Sequence, residues 1–280
     1  MRLLLVLFSV IFLASCSSKL AYNNLDWWVY WYLDDYIELK GEQEEKFDDY
    51  LQNWLRWHKT SELERYKAHL SEIKSQIKNG RLDSGAVQGH LVLAREHWER
   101  VRDEISPELV SIAKTLHDEQ VVSLFAALEK DNKEEEEERL ETLAKSEEKR
   151  LEERIERIEE TISERIGKLS DEQKQIVATY ASQFIPTGEE WLNYRRDIQN
   201  AARKLFVTRK FNKDFETELI ALMQNPDTFK SDIYKQSSEH NQAVTATLIS
   251  EIFSTLSDKQ RDTLLKNIDE LIETVENFKK

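Results

Sequence analysis

Hydrophobic residues fall in two patterns along the chain. From Leu3 to Leu13 they form an unbroken apolar run apart from Ser9. Further on they recur at alternating intervals of three and four, as in Leu63, Tyr66, Leu70, Ile73 and Ile77. That spacing places one apolar stripe along a helix of 3.6 residues per turn. It predicts helices at about 25–36, 41–58, 61–79 and 84–104, with another starting at Ser106-Pro107. Beyond these come a long helical stretch at 118–166 and helices at about 170–183, 187–208, 212–223, 226–255 and 257–278. Local signals mark the ends. Ser61 with Glu64 reads as a capping box, Asn79-Gly80 as a stop, and Pro107 and Pro226 suit a first helical position.

Composition sharpens this to one fold class. Six glycines and three prolines in 280 residues leave few turns, and charged residues make up 34% of the chain. The expectation is all-α: an elongated multi-helix bundle with one long acidic helix or helical arm. Residues 129–165 hold 16 acidic and 9 basic side chains, including the run Glu134–Glu138. Leu151, Ile155, Ile158, Ile162 and Ile166 give that stretch a narrow seam of coiled-coil type. The organisation expected is a leader (1–15), a tether (16–23), an N-terminal helical part (24–128), a charged arm (129–168) and a C-terminal helical part (169–280).

The opening apolar run is too short for a helix across a layer about 30 Å thick. With Arg2 before it and small residues after it, it reads as a cleaved export signal. Leu13-Ala14-Ser15-Cys16 resembles the lipobox of bacterial lipoproteins, which implies acylation of Cys16. Ser17 in place of an aspartate resembles the sorting pattern for the outer membrane, with the body facing the periplasm. Cys16 is the only cysteine, so an intramolecular disulfide and a cysteine metal site are excluded. Without residues 1–15 the chain keeps 39 basic and 54 acidic residues, a charge of −15. Such a chain is repelled by nucleic acid and favours a cationic or unfolded protein partner.

The helix at 25–36 carries Trp27, Trp28, Tyr30, Trp31, Tyr32 and Tyr36. Beside a lipid anchor these could form an interfacial belt. Asp26, Asp34 and Asp35 argue against insertion among anionic head groups and favour burial in the bundle. A second feature recurs four times, at Leu39–Gln43, Leu116–Gln120, Leu169–Gln173 and Leu256–Gln260. Each reads as a helix start, with the leucine turned inward and the glutamine reaching back to the cap. The pattern resembles the Leu-Thr-x-x-Gln motif of Spy/CpxP-like periplasmic proteins. Taken with Tyr22–Trp27, Tyr32–Tyr36, Trp57-His58 and Glu190–Arg196, it makes the chain similar to an uncharacterised family of proteobacterial helical lipoproteins. That resemblance implies an anchored envelope protein and carries no catalytic residue.

No catalytic activity is expected. None of the six histidines has a glutamate three residues before it, and neither a phosphate loop nor a nucleophile elbow is present. His90 and His97, seven apart, share a helix face without a carboxylate at ligand spacing. No metal and no cofactor is expected. Trp191, Tyr194, Arg195 and Arg196 form the most concentrated non-acidic polar cluster, either a partner-recognition patch or a set of arginines paired to the acidic arm. Asn241, on an otherwise apolar stripe, is expected to hold helix register. The function expected is non-catalytic binding of partners or non-native chains at the membrane. A scaffolding role in an envelope assembly is the alternative, and a hydrolase of envelope polymers would need a pocket holding a carboxyl of raised pKa.

Overall fold

The computed structural model describes residue 22 and residues 24–279; Cys16, the leader and the tether apart from Tyr22 lie outside them. The regular secondary structure of the described residues is all helical, with no β-strand among them. In chain order the helices are α1 (Leu25–Asp34), α2 (Glu42–Trp57), α3 (Leu63–Lys78), α4 (Ser84–Thr115), α5 (Asp118–Ala144) and α6 (Glu147–Ile166). They continue with α7 (Asp171–Ala181), α8 (Gly188–Thr208), α9 (Phe215–Gln224), α10 (Asp232–Ser254) and α11 (Asp258–Phe278). None is long and apolar enough to cross a membrane.

Several predicted boundaries move, each for a local reason. α2 runs into α3 through one π-helical turn, His58–Glu62, so the capping box expected at Ser61 is not used. α4 passes straight through Pro107 instead of restarting there. The proline leaves the Asp103 carbonyl without its usual partner, and the Gln224 amide donates to it at 3.3 Å. The arm is not one long helix: it breaks at Lys145-Ser146, where the Ser146 hydroxyl caps the Lys149 N–H and starts α6. Pro226 opens only a short 3₁₀ turn, and α10 begins after Ser231 caps Tyr234.

Four apolar clusters form the core. The first joins α2, α4, α5, α8 and α9 around Phe47, Val110, Phe125, Phe206 and Phe215. The second joins α3, α4, α10 and α11 around Ile77, Val87, Phe253 and Ile268. The third stacks Tyr22 on Phe278 over Leu25, Leu63 and Val275. In the fourth, the α6 seam of Ile155, Ile158, Ile162 and Ile166 packs on α7 and α10. α4 belongs to the first two clusters and carries the chain from one to the other.

The four repeated motifs pair across the bundle. Gln43 and Gln120 exchange side-chain amide bonds of 3.2 and 2.8 Å, and Gln173 and Gln260 do the same at 3.1 and 2.9 Å. Each Oε1 also accepts a backbone N–H at its own helix start, and each amide donates to a carbonyl beside its partner. Both pairs are buried. The motif is therefore a reciprocal clamp, used once between α2 and α5 and once between α7 and α11. Single-helix capping explains half of it; the partner amide supplies the rest.

Candidate functional site

The predicted cluster on α8 is divided between two faces. Trp191 and Arg195, four apart on α8, meet Asp131 and Glu135, four apart on α5. The Trp191 indole N–H donates to Glu135 at 3.0 Å, and Arg195 reaches Glu135 at 2.6 Å and Asp131 at 3.5 Å. The Tyr36 hydroxyl donates to Asp131 at 2.5 Å, and Arg196 pairs with Glu136 at 2.7 Å. That guanidinium holds the Glu136 carboxyl below its ordinary range. Tyr194 turns the other way and is buried beside Tyr234, with Lys230 over its ring. The arginines thus spend their charge on the acidic helix. Asn241 sets a loop instead of a helix–helix register: its amide exchanges bonds of 2.9 and 2.8 Å with the backbone of Ile185.

A second constellation was not foreseen, although His90 and His97 were seen to share a face. His69, from the apolar stripe of α3, inserts between them. His90 Nδ1 lies 3.0 Å from His69 Nε2, and His69 Nδ1 lies 3.2 Å from His97 Nε2. The string ends at Gln76, 3.1 Å from His90 Nε2, and at Arg100, 2.5 Å from His97 Nδ1. Arg100 only donates and lies nearer to Nδ1 than Glu62 does, at 3.4 Å, so His97 accepts there. With neutral rings the direction then propagates: each imidazole carries its proton on Nε2 and donates to the next, and the last donates to the Gln76 carbonyl. Every ring nitrogen is occupied. The three rings run in line and do not converge, and no group among the described residues is arranged to hold a metal ion.

The π turn supplies the end of this string. Its additional residue re-aims the helix, and such turns concentrate at functional sites. Glu62 is 1% exposed and pairs with Arg100 at 2.9 Å and Arg65 at 3.2 Å. His58, at the other end of the same turn, shares a hydrogen bond of 2.9 Å with the Tyr22 hydroxyl. Burial pushes His58 down to about 4, against the opposing pull of Glu62. Burial likewise pushes His69 down to about 4, assisted by the neighbouring imidazoles, and lowers His90 and His97. The rings are therefore neutral at neutral pH.

The histidine string forms one wall of a cavity of about 320 Å³ between α3, α4 and α11. Leu70 and Ile73 of α3, Leu91 and Ala94 of α4, and Leu271 and Val275 of α11 supply the rest of its lining. Ile249 of α10, 37% exposed, is the most exposed residue of the lining. Lysine, arginine and carboxylate side chains do not occur in the lining. An apolar space of this size holds water poorly and falls in the volume range of small-ligand sites.

The aromatic helix α1 is one-sided. Leu25 is buried, and Val29, Tyr30 and Leu33 pack onto the first cluster. Trp27, Trp28 and Trp31 face outward, 58, 37 and 54% exposed, in edge-to-face contact with one another. The expectation that these tryptophans are core is corrected. A ten-residue helix against one neighbouring surface buries one row, and the aliphatic row takes that place.

Fold and site together define an all-α helical protein with a buried imidazole string and an apolar cavity. The chain belongs to a family of unknown function (DUF6279), whose model matches residues 35–235. The matched part contains the histidine string and the α5–α8 network; α1 and α11 lie beyond it. No curated protein and no solved structure matches the chain.

Proposed function

We propose that this is a lipoprotein of the cell envelope, acylated at Cys16 and held on the outer membrane with its body facing the periplasm. There it binds protein partners, cationic or non-native, without catalysis. The observation that carries this reading is the outward triad Trp27, Trp28 and Trp31 on the helix that follows the tether. Three clustered indoles in water are costly, and indoles settle at membrane interfaces. The seven residues 17–23 span at most about 25 Å, so a lipid on Cys16 would keep this helix near the bilayer. The charge of −15 that remains without the leader and the exposed acids of α5 and α6 support the cationic preference. The lipobox and the Spy/CpxP-like glutamine motifs are consistent with an envelope protein.

The test separates lipid from tryptophan. In Cys16→Ser protein, phosphatidylcholine vesicles are expected to shift tryptophan emission to shorter wavelength and to co-sediment the protein. Replacing Trp27, Trp28 and Trp31 together by serine should abolish both effects while leaving the far-UV circular dichroism unchanged. Equal sedimentation of the two proteins would remove the interfacial role. Mass spectrometry of the membrane-extracted chain should show diacylglycerol on Cys16; a free thiol would remove the anchor.

A further inference from the structure

We infer that the cavity between α3, α4 and α11 is a hydrocarbon site that takes one straight acyl chain, of about ten to twelve carbons, from a fatty acid or lipid outside the protein. The shape argues for a chain. Lining residues recur at positions 66, 69, 70 and 73 on α3 and at 87, 90, 91, 94 and 97 on α4. At 1.5 Å per residue these rows run about 10 and 15 Å, so the space is a trough closed on its third side by α11. The volume sets the length. A cavity near 150 Å³ accepts a six-carbon ring, so 320 Å³ accommodates about twice that carbon count.

The chemistry of the walls excludes a polar occupant. Each nitrogen of His69, His90 and His97 is already engaged along the string, so the rings offer faces and no free donor. The remaining lining is aliphatic apart from Tyr66. A carboxylate or phosphate finds no cation inside, so the head group stays in solvent beside the exposed Ile249. Recognition by tail alone makes affinity depend on chain length and very little on head group.

Displacement of 11-(dansylamino)undecanoic acid from the Cys16→Ser protein reads this directly. Competition by straight-chain carboxylates is expected to strengthen about fourfold per methylene up to about twelve carbons and then to level off. Dodecanol should compete within a fewfold of dodecanoate. Ala94→Leu and Ala94→Phe, which fill the trough, should move the plateau to shorter chains; circular dichroism identifies a variant that fails to fold, and the smaller leucine keeps the test open. A length dependence without a plateau, or a plateau that neither variant moves, overturns the proposal. Loss of probe binding in the Trp27, Trp28 and Trp31 triple variant also overturns it, because the probe would then lie on the exposed indoles. If protein acylated at Cys16 refuses a probe that the serine variant accepts, the protein's own lipid fills the cavity and the external source is overturned.

Discussion

His69 accepts a hydrogen bond from His97 through a ring nitrogen that must stay unprotonated, and His58 shares one with the Tyr22 hydroxyl. Protonation of that His69 nitrogen removes its partner. Burial is the largest cause of the lowered affinity at all four rings. Glu62 opposes it at His58 and His97, and Glu72 opposes it at His90; Arg65 and Arg100 reinforce it at His97. From α10 and α11 the cavity receives only Ile249, Leu271 and Val275. In the unfolded chain these histidines titrate near 6.5. Their folded values lie below that, so the unfolded state binds more protons in the interval between. Stability is full above about pH 6.5 and is lost as pH falls towards 4. Unfolding free energies from urea titrations are expected to hold steady from pH 8 to 7 and then to decline across that window. His69→Gln preserves one donor and one acceptor and cannot titrate. It should flatten the decline, and an unchanged slope would show that other groups set the acid response.

At the scale of the element, the two glutamine clamps decide where helices begin and which begin together. Gln173 is fully buried; its loss orphans the Ser170 N–H, the Thr255 carbonyl and two hydrogen bonds of Gln260. Gln173→Ala is expected to cost about 2–4 kcal/mol, read from chemical denaturation. Gln173→Glu should cost at least as much, since a carboxylate cannot donate to Thr255 and would meet the Gln260 oxygen. The double replacement of Gln173 and Gln260 by alanine should cost clearly less than the sum of the single ones, because each single change already strands the other amide. Strict additivity would mean that the two amides act separately. α4 shows a related economy: a helix with a proline in its interior stays continuous because a side chain from α9 takes the vacated carbonyl.

At the scale of the whole molecule, α4 makes the clusters depend on one another. Val110 and Ile112 sit in the first cluster and Val87 in the second, on a single 32-residue helix. The third cluster ties Tyr22 and α1 to the end of α11. The Tyr36–Asp131–Arg195 network joins the segment after α1 to α5 and α8. One part cannot melt without exposing core in the next. Thermal unfolding followed by tryptophan fluorescence and by far-UV circular dichroism should therefore give one coincident transition. Gln43→Ala and Gln173→Ala, at opposite clamps, should both lower that same transition; two separated transitions would contradict the coupling through α4.

Much of this protein follows from sequence periodicity, which is a local property. The apolar stripes, the scarcity of glycine and proline and the serine caps determined an all-α chain, most of its helices and the α6 seam. The four leucine–glutamine motifs were legible as helix starts for the same reason. What the tertiary structure decided are relations between distant residues. Gln43 meets Gln120 across 77 positions, and His69 enters the space between His90 and His97 from another helix. Neither meeting leaves a mark in local spacing. Which row of α1 is buried depended on the surface available to it, and Arg195 and Arg196 found their acids only once α5 and α8 lay together. The cavity is the furthest from the sequence, since it is defined by atoms that are absent from the space three helices enclose.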